Sequence, residues 1–142
     1  MESFSFPDGF LWGTASSGHQ IEGSNTASDW WAWEPGKIRG GLTSGKACDA
    51  WNRYDEDYAL MESMGLNAYR MGIEWSRVEP AAGRWDDDAF SHYEAMMKSL
   101  SSKGIAICLT LYHWVLPKWV ADAGGWENPA TVDAFARFCE QT

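Results

Sequence analysis

Three times along this chain a strand-length apolar run is followed by a helix-length amphipathic one, and this alternation restricts the fold more than any other feature of the sequence. Residues 10–15, from Phe10 through Trp12 to Ala15, read as a strand that opens into a small, polar loop over 16–25. Over 47–64, Trp51, Tyr54, Tyr58, Met61 and Met64 recur at helical spacing, and Gly65 follows where left-handed backbone ends a helix. A second strand covers 67–73. A second helix over 86–103 turns on Phe90, Tyr93, Met97 and Leu100, with three carboxylates at its positive end and Gly104 after it. The third strand, 105–112, is apolar on both parities, the pattern of a parallel strand covered on both faces, so parity does not say which side faces a barrel axis. The third helix starts at Asn128 and Pro129, with Val132, Phe135, Ala136 and Cys139 as its expected buried stripe.

Repeated strand–helix–strand order implies a parallel sheet, hence a doubly wound sheet or a (β/α)8 barrel. Loop lengths favour the barrel. A barrel of about 250 residues gives about 31 to each unit, whereas three units here take all 142 residues. The excess lies after the strands, in 16–46, 74–85 and 113–127, while the helix-to-strand connections at Gly65 and Gly104 are minimal. Long loops after strands are how a barrel enzyme builds its active-site face. A three-stranded parallel piece would also leave two unpaired edges and one uncovered apolar face. The expectation is an α/β fold, a (β/α)8 TIM barrel of which residues 1–142 form the amino-terminal part of a single domain, about the first three βα units, with the remainder absent.

Eleven Lys and Arg against twenty Asp and Glu give a formal charge of −9, the wrong sign for neutralising phosphates or docking on anionic lipid, so nucleic acid and membrane are not expected partners. No apolar run reaches the ~18 residues that span a bilayer, and the stretch 1–5 has neither a basic nor an apolar leader region, so the chain reads as cytoplasmic. Cys48, Cys108 and Cys139 are odd in number and widely spaced, as reduced core thiols would be, and no histidine pair has metal-ligand spacing. Ten tryptophans are the unusual count. Most are expected in the core, but flat indoles also stack on pyranose faces, which points to carbohydrate.

Chemistry in such a fold gathers at the carboxyl ends of the strands, which here means 18–22, 70–77 and 113–114. Four segments in order carry a pattern: Phe6-Pro7-Asp8-Gly9-Phe10-Leu11-Trp12-Gly13-Thr14-Ala15-Ser16-Ser17-Gly18-His19-Gln20-Ile21-Glu22-Gly23; Tyr69-Arg70-Met71-Gly72-Ile73-Glu74-Trp75-Ser76-Arg77-Val78-Glu79-Pro80; Leu111-Tyr112-His113-Trp114-Val115-Leu116-Pro117; and Gly124-Gly125-Trp126. Together they resemble glycoside hydrolase family 1, the β-glucosidases and their relatives, across essentially the whole chain. The resemblance implies a retaining β-glycosidase that hydrolyses terminal non-reducing β-D-glycosyl residues from a β-glucoside or β-galactoside, with no cofactor and no metal. It implies that Gln20 and His113 hydrogen-bond the sugar hydroxyls, that Trp114 is a neighbouring contact, and that Arg70 holds the catalytic nucleophile ionised and oriented. An amide offers one donor and one acceptor, which suits vicinal hydroxyls. Glu22 belongs to the motif as a structural carboxylate.

The sequence also departs from the family pattern. Val115 stands where many members have Asp, and Gly72-Ile73-Glu74 replaces the commoner Ser-Ile-Ser. A retaining glycosidase needs two carboxylates about 5–5.5 Å apart, which the family supplies from Asn-Glu-Pro and Glu-Asn-Gly segments after strands four and seven. Neither segment is here, so no catalytic residue is expected in this chain, which should be inactive without the remaining barrel segment or a complementing chain. Glu127-Asn128-Pro129 permutes the family triplet but reads as a helix start, and Asp86-Asp87-Asp88 reads as helix-terminal charge. His19 and His92 read as loop and helix-surface residues. The alternative reading is a non-catalytic sugar-binding or scaffold chain.

Overall fold

The computed structural model describes residues 4–142; residues 1–3, on which the leader reading partly rests, lie outside them. In chain order the elements are β1 (Gly13–Ala15), α1 (Gly18–Ile21), α2 (Asp29–Trp33), α3 (Ala50–Ser63), β2 (Ala68–Gly72), α4 (Trp75–Val78), α5 (Asp87–Ser102), β3 (Ala106–Thr110), α6 (Lys118–Asp122) and α7 (Ala130–Gln141). The strands form one parallel sheet in the order β1-β2-β3. The first ladder is shorter than the apolar run that announces it. Ahead of Gly13 the Asn67 side chain stands in for a strand partner, accepting from Trp12 N–H at 2.7 Å and donating to Phe10 O at 3.1 Å.

The register settles which parity faces where. Tyr69 lies between Thr14 and Ile107 and Met71 beside Leu109, whereas Arg70 lies between Ala15 and Cys108. Alternate side chains take opposite faces, so Tyr69 and Met71 enter the core with Tyr58, Tyr93, Met96 and Leu100 of α3 and α5. Ala15, Arg70, Ala106 and Cys108 are exposed on the opposite face. This open face is the uncovered one expected of a three-stranded parallel piece. α3 and α5 pack against each other on one side of the sheet, as right-handed crossovers in the strand order β1-β2-β3 require. This one-sided helical cover over a parallel sheet fits a sector of barrel wall.

Local chemistry explains the helix ends. Asp86 accepts from Ala89 N–H at 2.9 Å at the start of α5, and Asp87 and Asp88 follow in its first turn. Gly65 and Gly104, at φ +72° and +69°, close α3 and α5. Before α7, Asn128 Oδ1 takes the Ala130 N–H at 3.0 Å, which bears out the helix-start reading of 127–129.

Three expectations are corrected. The buried stripe of α7 is Thr131, Ala134 and Phe138 with Phe135 and Cys139 half-buried, while Val132 and Ala136 are exposed. The helix turns to stack Phe138 on Trp75, centroids 5.3 Å apart, because a phenyl ring buries far more area than an alanine methyl. The cysteines are all free, yet Cys48 and Cys108 are exposed, one before α3 and one on the open sheet face. Tryptophan is mostly outside the core. Trp12, Trp30, Trp33, Trp114 and Trp126 are exposed, and of the ten only Trp75 is fully buried, as suits a ring too large to enclose readily.

Candidate functional site

The loops after β1 and β3 meet beside the carboxyl ends of the strands. Ser17, His19, Gln20, Trp30, His113, Trp114 and Val115 line one cavity of about 470 Å³. Three of the four residues expected to bear function are thus brought together: Gln20, exposed on the α1 turn, and His113 with Trp114 just beyond β3. Trp114 takes left-handed backbone at φ +72° and is 72% exposed, a costly conformation for a bulky residue and one that turns its indole outward. The Nδ1 of His113 is buried without a protein partner among the described residues, a hydrogen-bonding capacity left unused at the wall of the cavity.

Arg70 does not line this cavity. It stands two residues before the end of β2 on the open face, where its Nε donates to Thr110 Oγ1 of β3 at 2.8 Å. Anchored through this one nitrogen, the planar guanidinium keeps its other donors unpaired among the described residues.

Trp30 is a wall residue that local sequence reading missed. Ser28 Oγ accepts from Trp31 N–H at 3.1 Å to start α2. Asp29 then fastens α2 to the segment after β3: its Oδ1 accepts from Leu116 N–H at 3.0 Å and its own N–H donates to Leu116 O at 2.9 Å. These bonds carry Trp30 to His113 and Trp114. The Ser-Asp cap before Trp30-Trp31-Ala32-Trp33 was the available signal of a helix with indoles on its faces.

Behind the wall lies a buried polar layer. His19 was expected as a loop residue, but it is 7% exposed and its Nε2 lies 2.8 Å from Glu34 Oε1. Glu34 in turn accepts from Ser44 N–H at 2.7 Å. His92 was expected on a helix surface; instead it stacks on Trp51 with centroids 4.0 Å apart and reaches Trp51 O at 2.6 Å. Both histidines found partners distant in sequence, which spacing along the chain does not reveal.

The rest of the layer joins the loops after β1 and β2. Arg77 Nε pairs with Glu22 Oε2 at 2.6 Å, its Nη2 donates to Gly23 O, and its guanidinium lies 4.3 Å over the Trp51 ring. Tyr93 donates to Glu22 at 3.0 Å and accepts from Glu74 N–H at 3.1 Å. Burial pushes the Glu22 carboxyl above the usual carboxylate range even though Arg77 pulls it down. Burial, and then the charge of Glu22, push Glu74 up to about 8. The structural role expected of Glu22 agrees with this placement inside the protein, behind the open cavity.

A wall of hydrogen-bonding and indole groups at the carboxyl ends of parallel strands therefore accompanies the motifs, and the comparisons bear on the family those motifs resemble. The chain is 36% identical to β-glucosidase A of Acetivibrio thermocellus and 40% identical to β-glucosidase A of Thermotoga maritima, matches that take in 99% and 94% of this chain. It spans about a third of the length of these relatives, 33% and 32%. A solved β-glycosidase from Pyrococcus horikoshii superimposes with a TM-score of 0.90 at 42% identity, over 96% of this chain and 32% of that one. The Thermotoga maritima β-glucosidase solved in complex with castanospermine gives 0.89 at 40% identity, over 94% and 32%. With four motifs in register, a barrel-wall fold and a family profile that matches residues 2–142, the chain belongs to glycosyl hydrolase family 1.

Proposed function

We propose that this chain forms the first three βα units of a retaining β-glycosidase of the β-glucosidase type, and that it holds the sugar while the remaining units supply the reacting carboxylates. The observation that carries this reading is the convergence of Gln20, His113, Trp114 and Trp30 on one cavity. Gln20 and His113 offer amide and imidazole partners to vicinal hydroxyls, and the two indoles offer flat faces to a pyranose ring. Arg70 keeps a nucleophilic carboxylate ionised and aimed at the anomeric carbon. The Asn-Glu-Pro and Glu-Asn-Gly segments do not occur in this sequence. On this reading residues 1–142 do not hydrolyse glycosides by themselves. With the other five units joined or added, the reaction runs in two steps through a glycosyl-enzyme intermediate and retains anomeric configuration.

The test is release of phenol from an aryl β-glucoside, measured with this chain alone and with the remaining barrel units present. No turnover alone and turnover in the assembled barrel are expected, with Gln20→Ala and His113→Ala each slowing it by about tenfold or more. Turnover by the chain alone that Glu127→Gln abolishes would overturn the assignment, as would a stoichiometric assembled barrel without activity.

A further inference from the structure

One buried group is explained neither by the family pattern nor by the sugar wall: Glu74, which stands where Ser is commoner. It lies just past β2 and is 5% exposed. Its side chain fills the space beside Gly18 so closely that a Cβ there would come within 2.5 Å of its Cγ and Oε1. Asn25 Nδ2 donates to Glu74 Oε2 at 2.9 Å, and Ser76 Oγ steadies Asn25 by donating to its Oδ1 at 2.8 Å. The backbone of His19 also favours the charged form of the same carboxyl. Three residues of one loop thus close over one side chain, and Gln20 rides on the turn between them. A serine, two heavy atoms shorter, could not touch Gly18 and Asn25 together.

We infer that Glu74 is a positioning residue, clamping the loop after β1 to the end of β2 so that Gln20 is held facing His113 and Trp114. The inference rests on the sugar-binding reading of Gln20 and adds to it the group that sets where its amide stands. It also accounts for the glycine: Gly18 has no positive φ to require it, and what excludes a methyl is Glu74 itself. The far end of the turn is fixed separately, by Glu22 on Arg77.

The experiment is residue-resolved amide hydrogen exchange on the 142-residue chain, together with the NMR signal of the Gln20 side-chain amide. Glu74→Ser is expected to speed exchange at 18–21 by about tenfold or more while Met71 and Leu109 stay within about twofold. The isosteric Glu74→Gln should keep both the protection and the Gln20 signal. Gly18→Ala should disturb the turn in the wild-type background and add little in the Glu74→Ser background, where the methyl has room. Unchanged exchange at 18–21 in Glu74→Ser would overturn the inference. So would equal acceleration at Leu109, which marks general loosening, or a Gly18→Ala effect indifferent to Glu74. None of these readouts needs a sugar, so failure of the glycosidase reading would appear separately, as Gln20→Ala variants that bind and cleave glycosides normally.

Discussion

The carboxyl of Glu74 makes stability depend on pH in a way one substitution should remove. Burial and the neighbouring Glu22 charge raise it from 4.5 to about 8, so the folded chain holds this proton more tightly than the unfolded one. A carboxyl raised on folding stabilises fully below its unfolded value and loses that contribution as pH rises toward its folded value. The window here therefore runs upward from 4.5 to about 8. At 1.36 kcal/mol per unit this amounts to on the order of 5 kcal/mol. Relaxation around the ionised group lowers what is measured, and at least about 2 kcal/mol should survive. Glu22, Arg77, Tyr93 and the His19 backbone are the groups that face or perturb Glu74, and all remain in Glu74→Gln. Urea unfolding followed by tryptophan fluorescence should find variant and wild type close at about pH 5, with the variant the more stable by at least about 2 kcal/mol near pH 9. A difference that stays constant within about 0.5 kcal/mol across that range would refute the reasoning.

Two further outcomes test the packing. Arg77→Met leaves the Glu22 carboxyl enclosed without its 2.6 Å partner, which should cost about 3–5 kcal/mol; adding Glu22→Gln should recover part of that loss in the same urea experiment, and no recovery would count against the pair. Phe138→Ala removes a fully buried ring stacked on Trp75 and should cost about 3–5 kcal/mol, whereas Val132→Ala on the exposed face of α7 should stay within about 0.5 kcal/mol. Comparable losses at the two positions would restore the stripe through Val132 that the sequence suggests.

The order of strands and helices could be read from the sequence because the two periods differ and because glycines such as Gly65 and Gly104 mark the helix ends. The rotation of α7 could not, since Val132, Phe135, Ala136 and Cys139 satisfy helical spacing as well as Thr131, Ala134 and Phe138 do. What decides between them is Trp75, more than fifty positions away. The same division runs through the site. Gln20, His113 and Trp114 were legible from motif segments that each sit directly after a strand, so local order already placed them at one end of the sheet. Trp30 was not, because Asp29 and Leu116, 87 residues apart, bring it there. His19 and Glu74 are polar residues in loop-like surroundings, and composition sends such residues to the surface. They are inside because a buried polar group is stable only where partners meet it, and their partners stand 15 and 49 residues away, Glu34 for His19 and Asn25 for Glu74, with Glu22 and Tyr93 joined across 71 residues nearby. Apolar pattern reports how a segment meets the core as a whole, whereas burial of a polar side chain is a property of a network that no single segment contains. The departure at Glu74 was visible as a letter out of pattern, and its meaning required the glycine that makes room for it.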